Sequence, residues 1–418
     1  MNENSFEKFR RIFSFVVNAG APFYRNKYRQ AGFSSISLDR VEDVRHIPLL
    51  HRSELAHCPV GQRHYMPWQE TLFAGYTSGT TSGDLFPLLR NYNIGEPPDI
   101  EMYKVLLLPV QPWRVIAYAE TFRKKKAFVV CGDMHNMEVT ASMAQIFAVD
   151  TIYATPASIL LLVPYLQKYR ALASVRSLIL HGEPLSNARR ESIQRTFPHA
   201  AIHIQYGLSE IGNVSSSCPG DQSGALFHLD EHFWYETVDA ETGEAVPLGK
   251  QGELILTTLE YVPTPLIRYR TGDLAVLVSE CSCNKKTRAF VLLGRIGFDV
   301  IKIGGFEFRA AAFEKGIEGI PDLAEPNIFE VHLYEERAES DGSVKPRIRF
   351  RIGTVRSLTE EKKRSIQGDV LQRTIVGRML SLEEAVQRGL LLPPQFEFAT
   401  IAPDTSISRK RGILINHI

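Results

Sequence analysis

The alternation of apolar and polar positions changes character along the chain, and each change predicts a different kind of element. Phe6, Phe9, Phe13, Phe15 and Val16 recur at helical spacing, so a helix is expected over residues 6–17, with that stripe facing the core. Residues 1–70 read as mostly helical and then loop-rich. Further on, strands are expected at 105–110, 127–131 and 151–153, and a helix at 155–170 that opens on a Thr-Pro pair. A strand at 177–180, a loop at His181-Gly182-Glu183-Pro184, a helix at 187–196 capped by Ser186 and a strand at 201–205 make a strand–helix–strand unit. Strands joined by such a crossover lie parallel. The polar segments at His181 and Tyr206 each follow a strand's C-terminal end, the edge at which open α/β sheets bind ligands.

From about residue 224 the pattern shortens. Runs at 233–238, 252–258, 274–278 and 289–293, separated by Gly and Pro, predict a small barrel or a second antiparallel sheet. Beyond Gly294 it changes again, with strands at 328–334 and 347–352, helices at 358–372 and 382–388, and a last strand at 395–401 before a basic tail. The second of these helices opens on a Ser381/Glu384 capping box. The expected fold class is α/β. A large N-terminal domain, 1–296, carries parallel α/β sheet and a small β-barrel-like part, and a small α+β C-terminal domain follows at 297–418.

Composition narrows the class of protein. With 418 residues the chain is too long for one ordinary core. A net charge of +1 gives no global field toward nucleic acid or membrane, so neither is an expected partner. The run Arg123–Lys126 reads as a solvated surface, with attraction of an anionic substrate as the alternative. No apolar run reaches the roughly 18 residues of a membrane span, and the N-terminus lacks the pattern of a signal peptide. Five cysteines do not make a disulfide scaffold, so reduced thiols in a cytoplasmic protein are expected.

The chemistry begins at residues 76–84, YTSGTTSGD. Two glycines let the backbone turn tightly, and Thr77, Ser78, Gly79, Thr80 and Thr81 present hydroxyl and N–H donors to phosphate oxygens. A Walker-type loop would need a lysine, which is absent here, so the balancing charge must come from elsewhere in the chain or from Mg²⁺. The plain alternative is a polar surface turn.

Four later segments extend this reading: residues 181–184 (HGEP), Tyr206-Gly207-Leu208-Ser209-Glu210, Tyr269-Arg270-Thr271-Gly272-Asp273, and Gly294-Arg295 with Lys302 and Gly305. Taken in this order with the loop, they resemble the signatures of AMP-forming acyl- and aryl-CoA synthetases, the adenylation superfamily. The resemblance covers roughly residues 70–418 and is nearest to phenylacetate–CoA ligase-like enzymes. It implies that Tyr206 stacks on adenine, lined by Gly182, Glu183 and Pro184, with Gly207 and Ser209 in the same turn. It also implies that Asp273 accepts from the ribose hydroxyls, that Arg295 reaches ribose or phosphate, and that Glu210 holds Mg²⁺. A mobile C-terminal lid would bring in the adenylation lysine, for which Lys410 is the candidate. The segment after Arg295 lacks the usual paired aspartates, and the spacing of the tail also leaves Ser408 at the lysine position. Tyr153, Ala154, Pro156 and Gly212 are candidates for the acid pocket.

Cys218, His228, Cys281 and Cys283 form a separate set, with two readings: a closed structural Zn²⁺ site with S₃N ligation, or ordinary thiols beside a polar histidine. Related phenylacetate–CoA ligase-like chains show a similar layout. Cys58 and Cys131 read as core residues. The expected function is ATP-dependent activation of an aryl or arylacetic acid as an acyl-adenylate, followed by transfer to CoA. Transfer to an amine or a carrier-protein thiol is the alternative, and an inactive nucleotide-binding sensor or scaffold is the reading from another class. Homodimers are common in such a family, and no residue pattern here tests that.

Overall fold

The computed structural model of the chain describes residues 3–32, 38–77, 86–90, 100–108, 113–183, 185, 187–221, 224–281, 283, 288–295, 300–323, 329–354, 356–376, 380–400 and 414–417. It divides into two compact units. The first comprises Met1–Thr155, Leu162–Gly182 and His199–Ile296, and the second Pro156–Leu161, Glu183–Pro198 and Gly297–Ile418.

The first unit is built on a six-stranded sheet in the order Phe128–Cys131, Lys104–Leu108, Thr151–Ala154, Ser177–His181, Ala201–Leu208, Gly212–Ser216. The first five strands are parallel and the last is antiparallel. Their apolar runs are continuous because the middle strands are covered on both faces: every residue of Thr151–Ala154 and of Ser177–His181 is buried. Strand Ala201–Leu208 is longer than its apolar run predicts and takes in Tyr206-Gly207-Leu208, which the sequence places in a following loop. Pairing with Gly212–Ser216 explains the extension, with a bulge between Tyr206 and Gly207. At that bulge the neighbouring backbone comes so close that a Cβ on Gly207 would lie 2.6 Å from the carbonyl oxygen of Gly212.

A five-stranded antiparallel sheet follows in the order Phe233–Val238, Gln251–Thr258, Tyr269–Val278, Ala289–Arg295, Leu226–His228. Of the two expected alternatives this is the antiparallel sheet: among the described residues no ladder joins the two edge strands to close a barrel. The N-terminal helix Glu3–Asn18 buries Phe6, Phe9, Ile12, Phe13 and Val16, and Phe9 meets the Trp234 ring edge-on at 5.3 Å. Its stripe is core. Strands Phe73–Thr77 and Phe86–Arg90 pair antiparallel on either side of the Ser/Thr/Gly loop, a hairpin that the sequence pattern does not announce. The basic run sits at the exposed C-terminal end of helix Arg114–Lys124, where cations complement the helix dipole.

The second unit carries a four-stranded sheet in the order Gln395–Thr400, Val344–Thr354, Phe329–Arg337, Leu414–Asn416, with its own core around Phe308, Phe313, Val331, Ile348 and Phe350. A hairpin of Val300–Ile303 with Phe306–Arg309 turns through Gly304 and Gly305, both at positive φ as a two-residue turn requires. Helix Asn187–Thr196 belongs to this unit, where Arg189 pairs with Glu335 at 2.6 Å.

Candidate active site

Two sequence signatures converge at the C-terminal end of strand Ala201–Leu208. The Tyr206 hydroxyl donates to Asp273 Oδ2 at 2.6 Å, linking the parallel sheet to the antiparallel one. Both residues are buried, and the Tyr206 ring packs edge-on against Phe290 at 5.6 Å. Asp273 is held by its own strand: its N–H donates to Thr271 Oγ1, and that hydroxyl donates to the Leu254 carbonyl at 2.7 Å. Glu253 fixes the rest of the signature, pairing with Arg270 Nε at 2.8 Å and accepting the Gly272 N–H at 3.1 Å. Just before this signature the buried Arg268 adopts φ 49°, a strained value for a residue with a Cβ. Its guanidinium compensates, reaching Glu236 and the carbonyls of Arg45 and Ile47.

Beyond Tyr206 the chain turns through Ser209 and Glu210. Glu210 lies 3.5 Å from Arg52 Nε, too long for a hydrogen bond, so its carboxylate oxygens are not locked by that pair. Mg²⁺ takes oxygen ligands, and Glu210 supplies a half-buried carboxylate of the kind it needs. Ser209 is gripped twice: its Oγ accepts from Arg114 Nη2 at 3.1 Å, and its carbonyl accepts from Arg90 Nη2. These three arginines are the residues that sequence reasoning missed. They match no signature, and only the fold brings them to the turn.

Tyr153 and Ala154 are buried, as are Gly212 and Pro156, the last in the second unit. The Tyr153 ring stacks on His181 at 4.2 Å, lies 4.6 Å from Tyr118, and its hydroxyl donates to Asn213 Oδ1 at 3.3 Å. Burial, and then the charge of Arg114, push the His181 imidazole down to about 3, so it is neutral at physiological pH. Gly182 follows at φ 82°. Within the second unit, the carboxylate of Glu183 accepts the N–H groups of Ala157 at 2.6 Å and Gly305 at 3.3 Å and pairs with Arg189 at 3.2 Å. Strand pairing sets Arg295 opposite Asp273 along the backbone, and Lys302 is exposed on its hairpin. Thr77 ends its strand. Ser78, Gly79, Thr80, Thr81, Pro184, Ser408 and Lys410 lie outside the described residues, as do the side chains of Thr77 and Arg295.

Cys218, His228, Cys281 and Cys283 come together although the first and last are 65 positions apart, with all four donor atoms within 4.8 Å of one another. Cys218 Sγ is 3.2 Å from Cys281 Sγ, and Cys283 Sγ is 3.2 Å from His228 Nε2. Bonds of about 2.3 Å to sulfur and about 2.0 Å to nitrogen give tetrahedral edges of about 3.5–3.8 Å, so the four atoms could hold one Zn²⁺ after local shifts. Cys131 is exposed and Cys58 half-buried, which corrects their assignment to the core; burial of the Cys131 strand falls off at the sheet edge.

Comparisons with known proteins agree with this geometry. A family model of AMP-binding enzymes matches residues 126–259. The chain is 27% identical to a phenylacetate–coenzyme A ligase of Thermus thermophilus over 341 residues, which is 76% of this chain and 75% of that one. It is 32% identical to a Pseudomonas putida phenylacetate–coenzyme A ligase over 193 residues, 45% of this chain and 43% of that one. The fold superposes on a 2-hydroxyisobutyryl-CoA ligase solved with 2-HIB-AMP and CoA, with a TM-score of 0.65 and 17% identity, over 99% of this chain and 89% of that one. With these matches beside the Tyr206–Asp273 junction, the chain carries a segment that matches the AMP-binding enzyme family and is similar over most of its length to a phenylacetate–CoA ligase.

Proposed function

We propose that the protein activates an aryl or arylacetic acid with ATP, forming an acyl-adenylate and pyrophosphate, and passes the acyl group to CoA. The observation that carries this reading is the 2.6 Å Tyr206–Asp273 bond, which unites two signatures 67 residues apart beside the Glu210 turn. The named phenylacetate–CoA ligases support the aryl acid and the CoA acceptor.

In this reading Tyr206 supplies an aromatic face for adenine and Asp273 takes the ribose hydroxyls, exchanging its bond from Tyr206 for bonds from the nucleotide. Thr77 and the loop after it grip the terminal phosphates. Glu210 would hold Mg²⁺, which would supply positive charge to offset that of the departing pyrophosphate. An acid carboxylate oxygen attacks the α-phosphorus as the bond to pyrophosphate breaks, so the protein's task is to position two anions and offset their repulsion. Lys410 carries the adenylation-lysine role. Cys218, His228, Cys281 and Cys283 would hold a Zn²⁺ with a structural part, tying together the segments that carry them.

The test is ATP–pyrophosphate exchange across aryl and alkyl acids, on wild type and Lys410→Ala. The reading expects acid-dependent exchange that is strongest with an aryl or arylacetic acid and falls at least about a hundredfold in the variant. No exchange with any acid contradicts it. Adding CoA, then amines, then a carrier protein identifies the acceptor, and product formed only with an amine or carrier protein overturns the CoA step.

A further inference from the structure

Three arginines gather at the Ser209–Glu210 turn. They come from separate elements: Arg52 from helix Arg52–His57, Arg90 from strand Phe86–Arg90, and Arg114 from helix Arg114–Lys124. Arg90 is 6% exposed, and its Nε has no hydrogen-bond partner among the described residues. Among the described residues the carboxylate acting on it is Glu210, which also pairs with Arg52, while Arg114 adds a like charge. Burial, and then Arg114, bring the Arg90 guanidinium down to about 10. A buried cation whose Nε has no hydrogen-bond partner among the described residues is costly in free energy, and an anion would relieve it.

Geometry indicates which anion. In the hairpin Thr77 is opposite Phe86 and Phe73 is opposite Arg90, so four residue steps, roughly 13 Å, separate Arg90 from the strand ends that carry the phosphate loop. Arg52 lies 5.6 Å over the ring of Phe86, the first residue of the second hairpin strand. Arg114 donates to the Tyr118 hydroxyl at 3.3 Å as well as to Ser209, and its charge acts on both Tyr153 and His181. It therefore stands between the buried aromatic cluster and the turn.

We propose that Arg90 and Arg114 hold the carboxylate of the acid substrate, beside the aromatic side chains of Tyr118, Tyr153 and His181, while Arg52 and Glu210 serve the phosphate side. This rests on the adenylation reading above. The guanidinium forks fix a carboxylate by paired hydrogen bonds, and they transfer no proton as the carboxylate oxygen attacks phosphorus.

The test is equilibrium binding followed by thermal shift on the full chain, with phenylacetate, benzoate and 4-coumarate, the neutral phenylacetamide, and ATP alone as separate probes. The wild type is expected to be stabilised by at least one of the carboxylates and not by the amide. Arg114→Met is expected to bind that carboxylate roughly tenfold or more weakly while keeping its response to ATP. Arg114→Lys keeps a charge without the fork and is expected to fall between the two, giving the reading even if the Met variant fails to fold. Unchanged carboxylate binding in both variants overturns the proposal, and so does loss of the ATP response alone, which would make this a phosphate site. A wild type that responds to none of the three carboxylates overturns it as well. Carboxylate binding without pyrophosphate exchange would instead count against adenylation and leave this site standing.

Discussion

Tyr206 and Asp273 show how a side chain can serve the fold and a ligand in turn. Both are buried and satisfied by each other. Tyr206→Phe keeps the ring but leaves a buried carboxylate without that donor, and is expected to cost about 1–3 kcal/mol of stability in chemical denaturation. Asp273→Asn keeps the volume and is expected to raise the KM for ATP more than it lowers stability, measured by pyrophosphate exchange beside thermal unfolding. His181 gives a pH signature. Its folded value of about 3 lies below its ordinary 6.5, so between these values the unfolded chain binds a proton that the native one excludes. The stability it contributes is complete above pH 6.5 and is lost as pH falls toward 3, with a slope approaching about 1.4 kcal/mol per pH unit. His181→Phe should flatten that part of the stability–pH curve; an unchanged slope would show that His181 is not the group responsible. Signature residues were legible in the sequence because their types and order repeat a pattern. Arg52, Arg90 and Arg114 were not, because separate elements deliver each of them to the Ser209–Glu210 turn.

At the scale of elements, the bulge between Tyr206 and Gly207 aims the signature turn. Gly207→Ala would put a methyl 2.6 Å from the Gly212 carbonyl oxygen and is expected to destabilise by about 1–3 kcal/mol, visible as a lower Tm. The Cys/His cluster makes a parallel claim for the antiparallel sheet: the purified protein should carry one zinc per chain by elemental analysis, and Cys281→Ser should lose both the metal and part of the Tm. The periodic elements were legible, from the N-terminal helix stripe to the parallel strands at 151–154 and 177–181. The hairpin around the phosphate loop was hidden, since Gly75 and Pro87 interrupt any strand pattern there. The choice between barrel and open sheet was illegible for a related reason: local runs announce strands, but closure depends on long-range pairing between edges that no local pattern encodes.

For the whole molecule, the division near residue 296 follows from a change of apolar period, but Pro156–Leu161 and Glu183–Pro198 also group with the C-terminal unit. Long-range ion pairing carries part of that grouping, through Arg189 between Glu183 and Glu335, and such pairing leaves no local trace in the sequence. The central claim, carboxylate attack on the α-phosphorus, is tested most directly by isotope transfer. The acid that gives the fastest exchange, labelled with ¹⁸O in its carboxylate, is turned over with ATP and CoA, and the nucleotide product is analysed by mass spectrometry. Attack at the α-phosphorus followed by thioester formation leaves one ¹⁸O in AMP and none in pyrophosphate. Label in inorganic phosphate alongside ADP, or AMP without label, would contradict the account.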